Sequence, residues 1–497
     1  MTSASPENGS PLNERLFTAD SSPLYSPPPI SLNIAEVDSS VGSNHNPLCN
    51  RGRFVQFPDP MPSNEPRFYD DCIASKIIMT VIDDPWIKRL SEVNQSASLG
   101  YAYPSAKNAR LDHSLGVAAL GIKTLRRLWD GAESQGRQII SDWAEGFALA
   151  LICHDLGHIA PGSHGAYRIL FPGCSDTHEA LACAILSRDT PLTRRLMGAY
   201  GCSHGLRIIE KACAIIAADL SRVPRFLVQL LSGDAWNVDR GDWVGRDLWS
   251  IGQVTSLECN DIIQENLLLT PHGSLAIHEA GVEALEQFAM IRSRLYWNEF
   301  SSPRCRSFDH LAWAVGECAR DHAIFADELT PLMKRVFLKE SPFDLDLDDL
   351  FQLREHQWLC QRDLWCESRS FELRLLAQAL RDRRAPAALP IPDGVNPDDL
   401  RKFALGLVEK MGFTGKYHVS LLPRSDGADG DLDNALKVHT GRSEVIKLTD
   451  YSSYFRAMDR QAFSNPSHYL VLPEDIVPDV ESVMRFGRTE MGLQENV

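Results

Sequence analysis

Apolar residues recur at helical spacing through most of the chain between about residues 68 and 337. The segment 114–129 places apolar side chains three and four positions apart, and the segments 206–216 and 282–300 do the same. The segment 143–156 is apolar almost all round, which is typical of a helix buried at the centre of a domain. Strand-like alternation is scarce in this region, so the sequence predicts a mainly α fold.

The pattern changes after about residue 340. An acidic amphipathic stretch covers residues 344–350, and a Pro-rich segment at 385–392 interrupts the helical pattern. Beyond it, residues 417–423 and 468–473 have the pattern of short strands. We therefore expect a helical core over residues 61–340 and a smaller α+β C-terminal appendage over residues 341–497.

The first 60 residues are rich in Ser, Pro and Asn. Such a composition buries too little apolar surface to offset the entropy that the chain loses on ordering. The sequence therefore predicts a disordered segment over residues 1–60.

Charge and cysteine usage narrow the classes of partner and compartment. The 497-residue chain carries a formal net charge of −16, which disfavours strong binding to nucleic acid or to an anionic membrane. Its 12 cysteines include no Cys-x-x-Cys pair, as expected for reduced intracellular thiols. Apolar runs fall short of the ~20 residues of a membrane span, and the N-terminus lacks a signal-peptide core. We expect a cytoplasmic or nuclear protein that is not bound to membranes.

The segment His154-Asp155-Leu-Gly-His158, at the end of the apolar stretch, carries the strongest chemical signal. A buried carboxylate is costly unless it is paired or bound to a metal, and the adjacent imidazole offers a nitrogen ligand. His113 lies upstream at the head of a predicted helix, and Asp239 lies downstream. Two His and two Asp leave coordination positions open for water and a phosphate oxygen, as metal-assisted hydrolysis requires. For the His-Asp pair alone, a hydrogen-bonded core histidine is the simpler interpretation.

The ordered motifs His113-Ser-Leu-Gly-Val, His154-Asp-Leu-Gly-His and the segment around Asp239 resemble those of the HD-domain dNTP triphosphohydrolases. This family includes the bacterial dGTP triphosphohydrolases and the animal enzyme that joins a sterile-alpha-motif to an HD domain. The resemblance covers about residues 81–304 and implies a helical HD-domain phosphohydrolase core. It also implies that His113, His154, Asp155 and Asp239 bind a divalent Fe, Mn, Zn or Co ion, with Mg²⁺ accompanying the triphosphate.

The same resemblance assigns residues to the reaction. His178 matches the histidine that transfers a proton to the leaving oxygen, a role suited to imidazole groups because they titrate near neutral pH. His158 and His164 match two histidines on the phosphate path, although six positions separate them where the family usually has five. Positions that match the family's substrate contacts are Gln95, Arg110, Arg240, Trp243, Arg292, Arg294 and Phe300.

Some matched positions depart from the family pattern. Trp243 and Phe300 stand where tyrosines usually approach the sugar. Ser302-Pro303 replaces a His-Lys pair that serves an allosteric site in some members. The selection for deoxyribose, a nucleotide effector and a homo-oligomeric state are therefore expectations that the resemblance alone supports.

The function that the resemblance implies is hydrolysis of a deoxynucleoside triphosphate to a deoxynucleoside and inorganic triphosphate. One alternative is another HD phosphohydrolase, such as a nucleoside monophosphatase or a guanosine tetraphosphate hydrolase, which would release a different phosphate product. The other alternative is a nucleotide-binding HD protein without turnover. The retained ligand set argues against this second alternative, because a protein that only binds nucleotides has no need of all four ligands.

Overall fold

The computed structural model describes residues 46–59, 61, 65–162, 165–174, 177–253, 258–423, 436–441, 444–460 and 468–490. Helices dominate this part of the chain, which confirms the predicted mainly α class. Most of the segment predicted to be disordered, residues 1–45, lies outside the described residues. Within the described ranges, no helix combines the length and the apolar character needed to cross a bilayer.

The helices up to residue 337 form the larger part of the molecule. In chain order they are α1 (Ile73–Val81), α2 (Pro85–Arg89), α3 (Ala97–Ala102), α4 (Arg110–Gly131), α5 (Ser134–Cys153), α6 (Gly165–Leu170), α7 (His178–Leu186), α8 (Pro191–Tyr200), α9 (Cys202–Ile216), α10 (Arg225–Ser232), α11 (Val238–Ser250), α12 (Glu258–Asn266), α13 (Val282–Leu295), α14 (Pro303–Ala326) and α15 (Pro331–Phe337). A π-helical turn, Tyr296–Phe300, extends α13.

Helix α5 is the centre of this assembly. Its C-terminal half, from Phe147 to Cys153, is completely buried, and the helix packs against α1, α4 and α9. An apolar surface on every side suits a helix enclosed by others, since each face then loses contact with water. The helix therefore ends at His154 inside the protein.

The remaining helices are α16 (Leu347–Gln352), α17 (Glu355–Trp365), α18 (Phe371–Arg381), α19 (Pro397–Lys410), α20 (Gly415–His418), α21 (Leu448–Tyr451), α22 (Ser453–Arg460) and α23 (Val477–Glu490). Side chains of α16, α17 and α18, such as Leu350, Trp358 and Leu373, join the main apolar cluster. A second cluster, with Leu400, Val408, Leu470 and others, forms further along the chain. The domain boundary at residue 340 stays a prediction. Because α16 to α18 pack in the main apolar cluster, the packing favours a boundary after α18.

Three small sheets accompany the helices within the described ranges. Strands β1 (Phe54–Gln56) and β2 (Arg67–Tyr69) pair antiparallel. Strands β3 (Leu267–Leu269), β4 (Leu275–His278), β7 (Lys437–His439) and β8 (Val445–Ile446) form a second sheet, with β4 and β7 parallel. In the third, β9 (His468–Leu472) lies between β5 (Ala387–Pro390) and β6 (Ser420–Pro423). We call β5, β6, β9, α19 and α23 the C-terminal unit; it packs on α14.

The structure departs from the sequence expectations in two of these sheets. Strand β1 lies within the segment predicted to be disordered, where the nearby Leu48 is completely buried and bridges to Cys72. The hairpin β3–β4 lies in a region where helices were expected. Gly273 in its turn adopts φ of 73°, a conformation that glycine takes without steric cost.

Arg89, at the end of α2, connects the segment after α5 to a distant part of the chain. It is 2% exposed, and its guanidinium donates to the carbonyls of Leu156 at 3.4 Å, His158 at 2.9 Å and Leu353 at 3.1 Å. Burial lowers the pKa of Arg89 to about 10. This side chain fixes the backbone that carries the His-Asp pair.

Replacement of Arg89 by Ala should destabilise the fold strongly, because three buried carbonyls lose the hydrogen bonds of its guanidinium, and only that of Leu353 keeps another donor, the Ala160 N–H. We expect a loss of about 3 kcal/mol in the free energy of unfolding, measured by denaturant titration. The control is Arg53→Ala, which removes an exposed arginine paired with Asp70 and should cost less than about 1 kcal/mol. Equal losses in the two variants would contradict the structural role of Arg89.

Candidate active site

Four residues from three places in the chain meet at one point. His113 lies in the first turn of α4, His154 and Asp155 follow α5, and Asp239 lies in the first turn of α11. His113 Nε2 is 3.0 Å from Asp239 Oδ1 and 3.3 Å from His154 Nε2. His154 Nε2 is 3.7 Å from Asp239 Oδ1 and 3.6 Å from Asp155 Oδ1. The fold thus brings together the four side chains that the sequence singled out.

Hydrogen bonds orient both imidazole rings toward this point. His113 Nδ1 lies 2.8 Å from a carboxylate oxygen of Asp242, and His154 Nδ1 lies 2.8 Å from the carbonyl oxygen of Leu151. Because both partners can only accept, each Nδ1 carries its proton, and a neutral ring then presents its Nε2 lone pair. Two lone pairs 3.3 Å apart would repel each other, so a positive charge, either a proton or a metal ion, is favoured at this point.

The spacing of the ligand atoms fits a divalent metal ion. Ligands bound at about 2.1 Å and at right angles lie about 3 Å apart, close to the distances between the imidazole nitrogens and Asp239 Oδ1. His113, His154 and Asp239 form one group of potential ligands in the described structure, and Asp155, His158 and His178 form a second. The mixed nitrogen and carboxylate set suits Fe, Mn, Zn or Co.

The electrostatics of the site also favour a cation. Burial by itself lowers the pKa of His113, but its hydrogen bonds with Asp239 and Asp242 outweigh burial and raise the pKa to about 10. Burial alone would raise the pKa values of Asp155 and Asp239, yet Arg110 lowers the first and the two histidines lower the second. The carboxylates therefore remain ionised and attract positive charge.

Asp242 is itself held by a buried ion-pair chain. Arg246 donates to both Asp242 oxygens at 2.9 Å and to the Asp59 oxygens at 2.9 and 3.2 Å. The sequence analysis missed these three residues. The positions of Asp242 and Arg246 in α11 could have indicated their role, since they share one helix face with Asp239 at intervals of three and four residues. Nothing in the sequence marked Asp59.

Arg110 contacts one of the metal-ligand residues and, like them, lines the cavity. Its Nη1 is 2.6 Å from Asp155 Oδ2, and its Nη2 donates to the carbonyl oxygen of Gln95 at 3.1 Å. Both Arg110 and Gln95 line the cavity. The guanidinium therefore orients Asp155 and also faces the space where a ligand would bind.

The predicted catalytic histidines occupy different positions. His178 begins α7 and lines the cavity. The His158 ring stacks on it with centroids 4.1 Å apart, and His158 Nε2 is 3.3 Å from Asp155 Oδ1. Burial, with the nearby Arg110 and His178, holds the pKa of His158 well below its usual value, so this ring stays neutral. His164 lies outside the described residues.

A cavity of about 620 Å³ adjoins the metal-ligand residues, within the usual size of ligand pockets. Arg240, Trp243, Arg292 and Phe300 line it, as their predicted contacts with substrate require. Arg294 is exposed and is not among the lining residues, because it lies two positions after Arg292 and so on another face of α13.

An aromatic wall closes one side of the cavity. The rings of Trp243, Tyr296 and Phe300 lie 5.5 to 6.1 Å apart. Glu299, buried within the π-helical turn, accepts hydrogen bonds from Tyr103 and from Gln253. These contacts fix the turn that presents Tyr296 and Phe300.

Other lining residues were missed in the sequence, among them Arg168, Arg306, Tyr296 and Asp247. Burial raises the pKa of Asp247 to about 6. For Tyr296 and Asp247, proximity to Phe300 and Trp243 along the helices offered a signal. Arg168 and Arg306 reach the cavity only through the packing of α6 against α14.

The comparisons with known proteins begin with sequence. No protein-family model matches the chain. It is 26% identical over 444 residues to the uncharacterized protein YwfO of Bacillus subtilis, a match that covers 86% of this chain and 96% of that protein. It is 37% identical over 89 residues to the deoxynucleoside triphosphate triphosphohydrolase SAMHD1 of Bos taurus, and 31% identical over 127 residues to that of Homo sapiens.

The matches to these two enzymes are partial. They cover 18% and 25% of this chain and span only 14% and 20% of the enzymes' own length. The sequence likeness is therefore limited to a segment of each protein, and it does not by itself assign the activity of the whole enzymes to this chain.

Solved structures resemble the chain over a much greater length. A phosphohydrolase from Bacteroides thetaiotaomicron superposes with a TM-score of 0.70 at 18% identity, over 84% of this chain and 99% of that one. A hypothetical protein from Aquifex aeolicus superposes with a TM-score of 0.62 at 19% identity, over 86% of this chain and 99% of that one. These likenesses show the fold. The partial sequence likeness to the deoxynucleoside triphosphate triphosphohydrolases agrees with the resemblance that the HD motifs indicated.

Proposed function

We propose that the protein is a metal-dependent hydrolase that converts deoxynucleoside triphosphates to deoxynucleosides and inorganic triphosphate. The observation that supports this most is the convergence of His113 Nε2, His154 Nε2 and Asp239 Oδ1 within 3.0 to 3.7 Å, beside a cavity lined by arginines. The substrate class comes from the relatives named as deoxynucleoside triphosphate triphosphohydrolases.

A divalent ion held by His113, His154, Asp155 and Asp239 would supply an electrophile at a phosphate oxygen and a water of lowered pKa. The protein's part is to hold these ligands ready. Arg110 holds Asp155 ionised, and Asp242 holds the His113 ring in one orientation. Neither ligand then has to reorganise when the substrate arrives.

His178 would provide the proton for the leaving 5′ oxygen. Its ring lies on the cavity wall at the start of α7. The stacked His158 stays neutral, so it neither repels an imidazolium at His178 nor competes for its proton. A protonated imidazole is a suitable proton donor to an alkoxide.

Arg240 and Arg292 would bind the triphosphate. Both line the cavity, and the Arg292 guanidinium is fixed 5.1 Å from the centre of the Tyr296 ring. A guanidinium can grip two phosphate oxygens at once. The positive charge of these arginines offsets the charge of a triphosphate that would enter an otherwise acidic protein.

Product analysis tests the proposal directly. Purified protein with Mn²⁺ is incubated with each dNTP and NTP, and the products are separated by anion-exchange chromatography. We expect equal amounts of deoxynucleoside and tripolyphosphate, and a rate lower by about 10²–10⁴-fold in His178→Ala. Orthophosphate or pyrophosphate as the first product would favour another HD phosphohydrolase. Nucleotide binding without any product would favour the non-catalytic alternative.

Metal content tests the ligand set separately. His154→Ala should weaken Mn²⁺ binding by at least about 100-fold, because it removes a nitrogen that faces the site. Equilibrium dialysis followed by elemental analysis measures this. The matched control is His204→Ala on α9, where the imidazole pairs with Glu145 at 2.8 Å. If the control lost as much metal as His154→Ala, the assignment of the ligands would be wrong.

Asp242→Asn tests the support beneath His113. The amide keeps the shape of the side chain but removes the charge that fixes the His113 tautomer, so we expect Mn²⁺ affinity to fall by about 10–100-fold. The control is Asp261→Asn, an exposed carboxylate paired with Lys123. Unchanged affinity in Asp242→Asn would show that the orientation of His113 does not depend on this carboxylate.

A further inference from the structure

Strand β6 of the C-terminal unit faces two different environments. Leu421 packs against the second apolar cluster, which also contains Val419, the residue just before the strand. Ser420 and Leu422 instead line the active-site cavity. Successive side chains of a strand point to opposite faces, so one face of β6 builds the C-terminal unit and the other forms a wall of the cavity. Leu422 is buried but belongs to neither apolar cluster.

Contacts at both ends of β6 hold it against α14. The carbonyl of Tyr417 accepts from His310 Nε2 at 3.1 Å, and the Tyr417 hydroxyl donates to Asp321 at 2.5 Å. At the other end, Arg306 donates to the carbonyl of Pro423 at 3.2 Å. The position of Ser420 and Leu422 relative to α14 is therefore fixed.

Several of the side chains that line the cavity near β6 are aromatic or apolar. We call Phe308, His310, Trp313, Ser420 and Leu422 the α14–β6 lobe; all five line the cavity. Phe308 stacks on Tyr101 with centroids 5.5 Å apart, and the Arg168 guanidinium lies 5.2 Å from the Trp313 ring centre. Phe308, Trp313 and Leu422 give this lobe aromatic and apolar surface, and the ion pair of Arg306 with Asp309 also lines the cavity there. The metal-ligand side has carboxylates, imidazoles and arginines with less apolar surface.

We propose that the α14–β6 lobe receives the base of the nucleotide, and that Leu422 limits the size of that base. The inference rests on the proposed function, which assigns the triphosphate to Arg110, Arg240 and Arg292. The base is the part of a nucleotide with most to gain from aromatic and apolar neighbours. The C-terminal unit then has a defined role, since it supplies a specificity wall to a site built by the helical core.

Binding measurements on Leu422→Trp test this inference. The probes are inorganic tripolyphosphate and analogues of dATP and dCTP with CH₂ in place of the 5′ oxygen, which lack the bond that the proposed reaction breaks. Each is titrated calorimetrically with Mn²⁺ present. The larger side chain should weaken binding of the dATP analogue by about tenfold or more, and it should weaken binding of the dCTP analogue less. The affinity of the variant for tripolyphosphate should stay within about twofold of the wild-type value.

Two further variants keep the test decisive if Leu422→Trp fails to fold. Leu422→Ala removes apolar contact and should weaken both nucleotide analogues by roughly tenfold while sparing tripolyphosphate. Leu421→Ala alters the opposite face of β6 and should change none of the three affinities.

Three results would overturn the inference. Leu422 variants that leave all three affinities unchanged would exclude a contact with the nucleoside. Equal weakening of tripolyphosphate would assign the lobe to the phosphates. If the wild-type protein hydrolyses dNTPs and the Leu422 variants keep its base preference, this inference alone is refuted. If the wild-type protein releases no triphosphate, the proposed function is refuted as well.

Discussion

Two imidazole nitrogens that face each other across 3.3 Å impose the constraint on which the rest of the site depends. Each ring is turned inward by a hydrogen bond on its other nitrogen, one to Asp242 and one to the Leu151 carbonyl. The lone pairs would repel without a positive charge between them, and Asp155 and Asp239 add negative charge at the same point. Without a metal ion, a proton on His113, whose pKa is raised to about 10, supplies that positive charge. A divalent cation can replace the proton, since it interacts with both imidazoles and both carboxylates at once.

The scaffold makes that constraint rigid. Helix α5 is enclosed over its last two turns, so the His-Asp pair emerges at a fixed place. Arg89 fastens the following backbone to Leu353, and the chain Asp242–Arg246–Asp59 holds α11 from the other side. Because these supports come from sequence-distant segments, the geometry of the site depends on the packing of the whole helical core, and the C-terminal unit completes only the outer wall of the cavity.

Much of the helical fold could be predicted from the sequence. The periodic segments 114–129 and 206–216 lie within α4 and α9, and the strand-like segments 417–423 and 468–473 contain β6 and β9. The convergence of His113, His154, Asp155 and Asp239 followed from motif order. Asp59, Arg168 and Ser420 could not be found, because each reaches the site through long-range packing that leaves no local pattern. Strand β1 was missed for a similar reason: its order comes from pairing with β2, whereas its own composition suggests disorder.

The central claim is that one cation is shared by residues of α4, α11 and the end of α5. Anomalous diffraction from crystals grown with Mn²⁺ tests it most directly. We expect one strong peak about 2.0–2.3 Å from His113 Nε2, His154 Nε2 and Asp239 Oδ1. A map in which the manganese binds elsewhere, with the two imidazole rings still facing each other, would contradict the account.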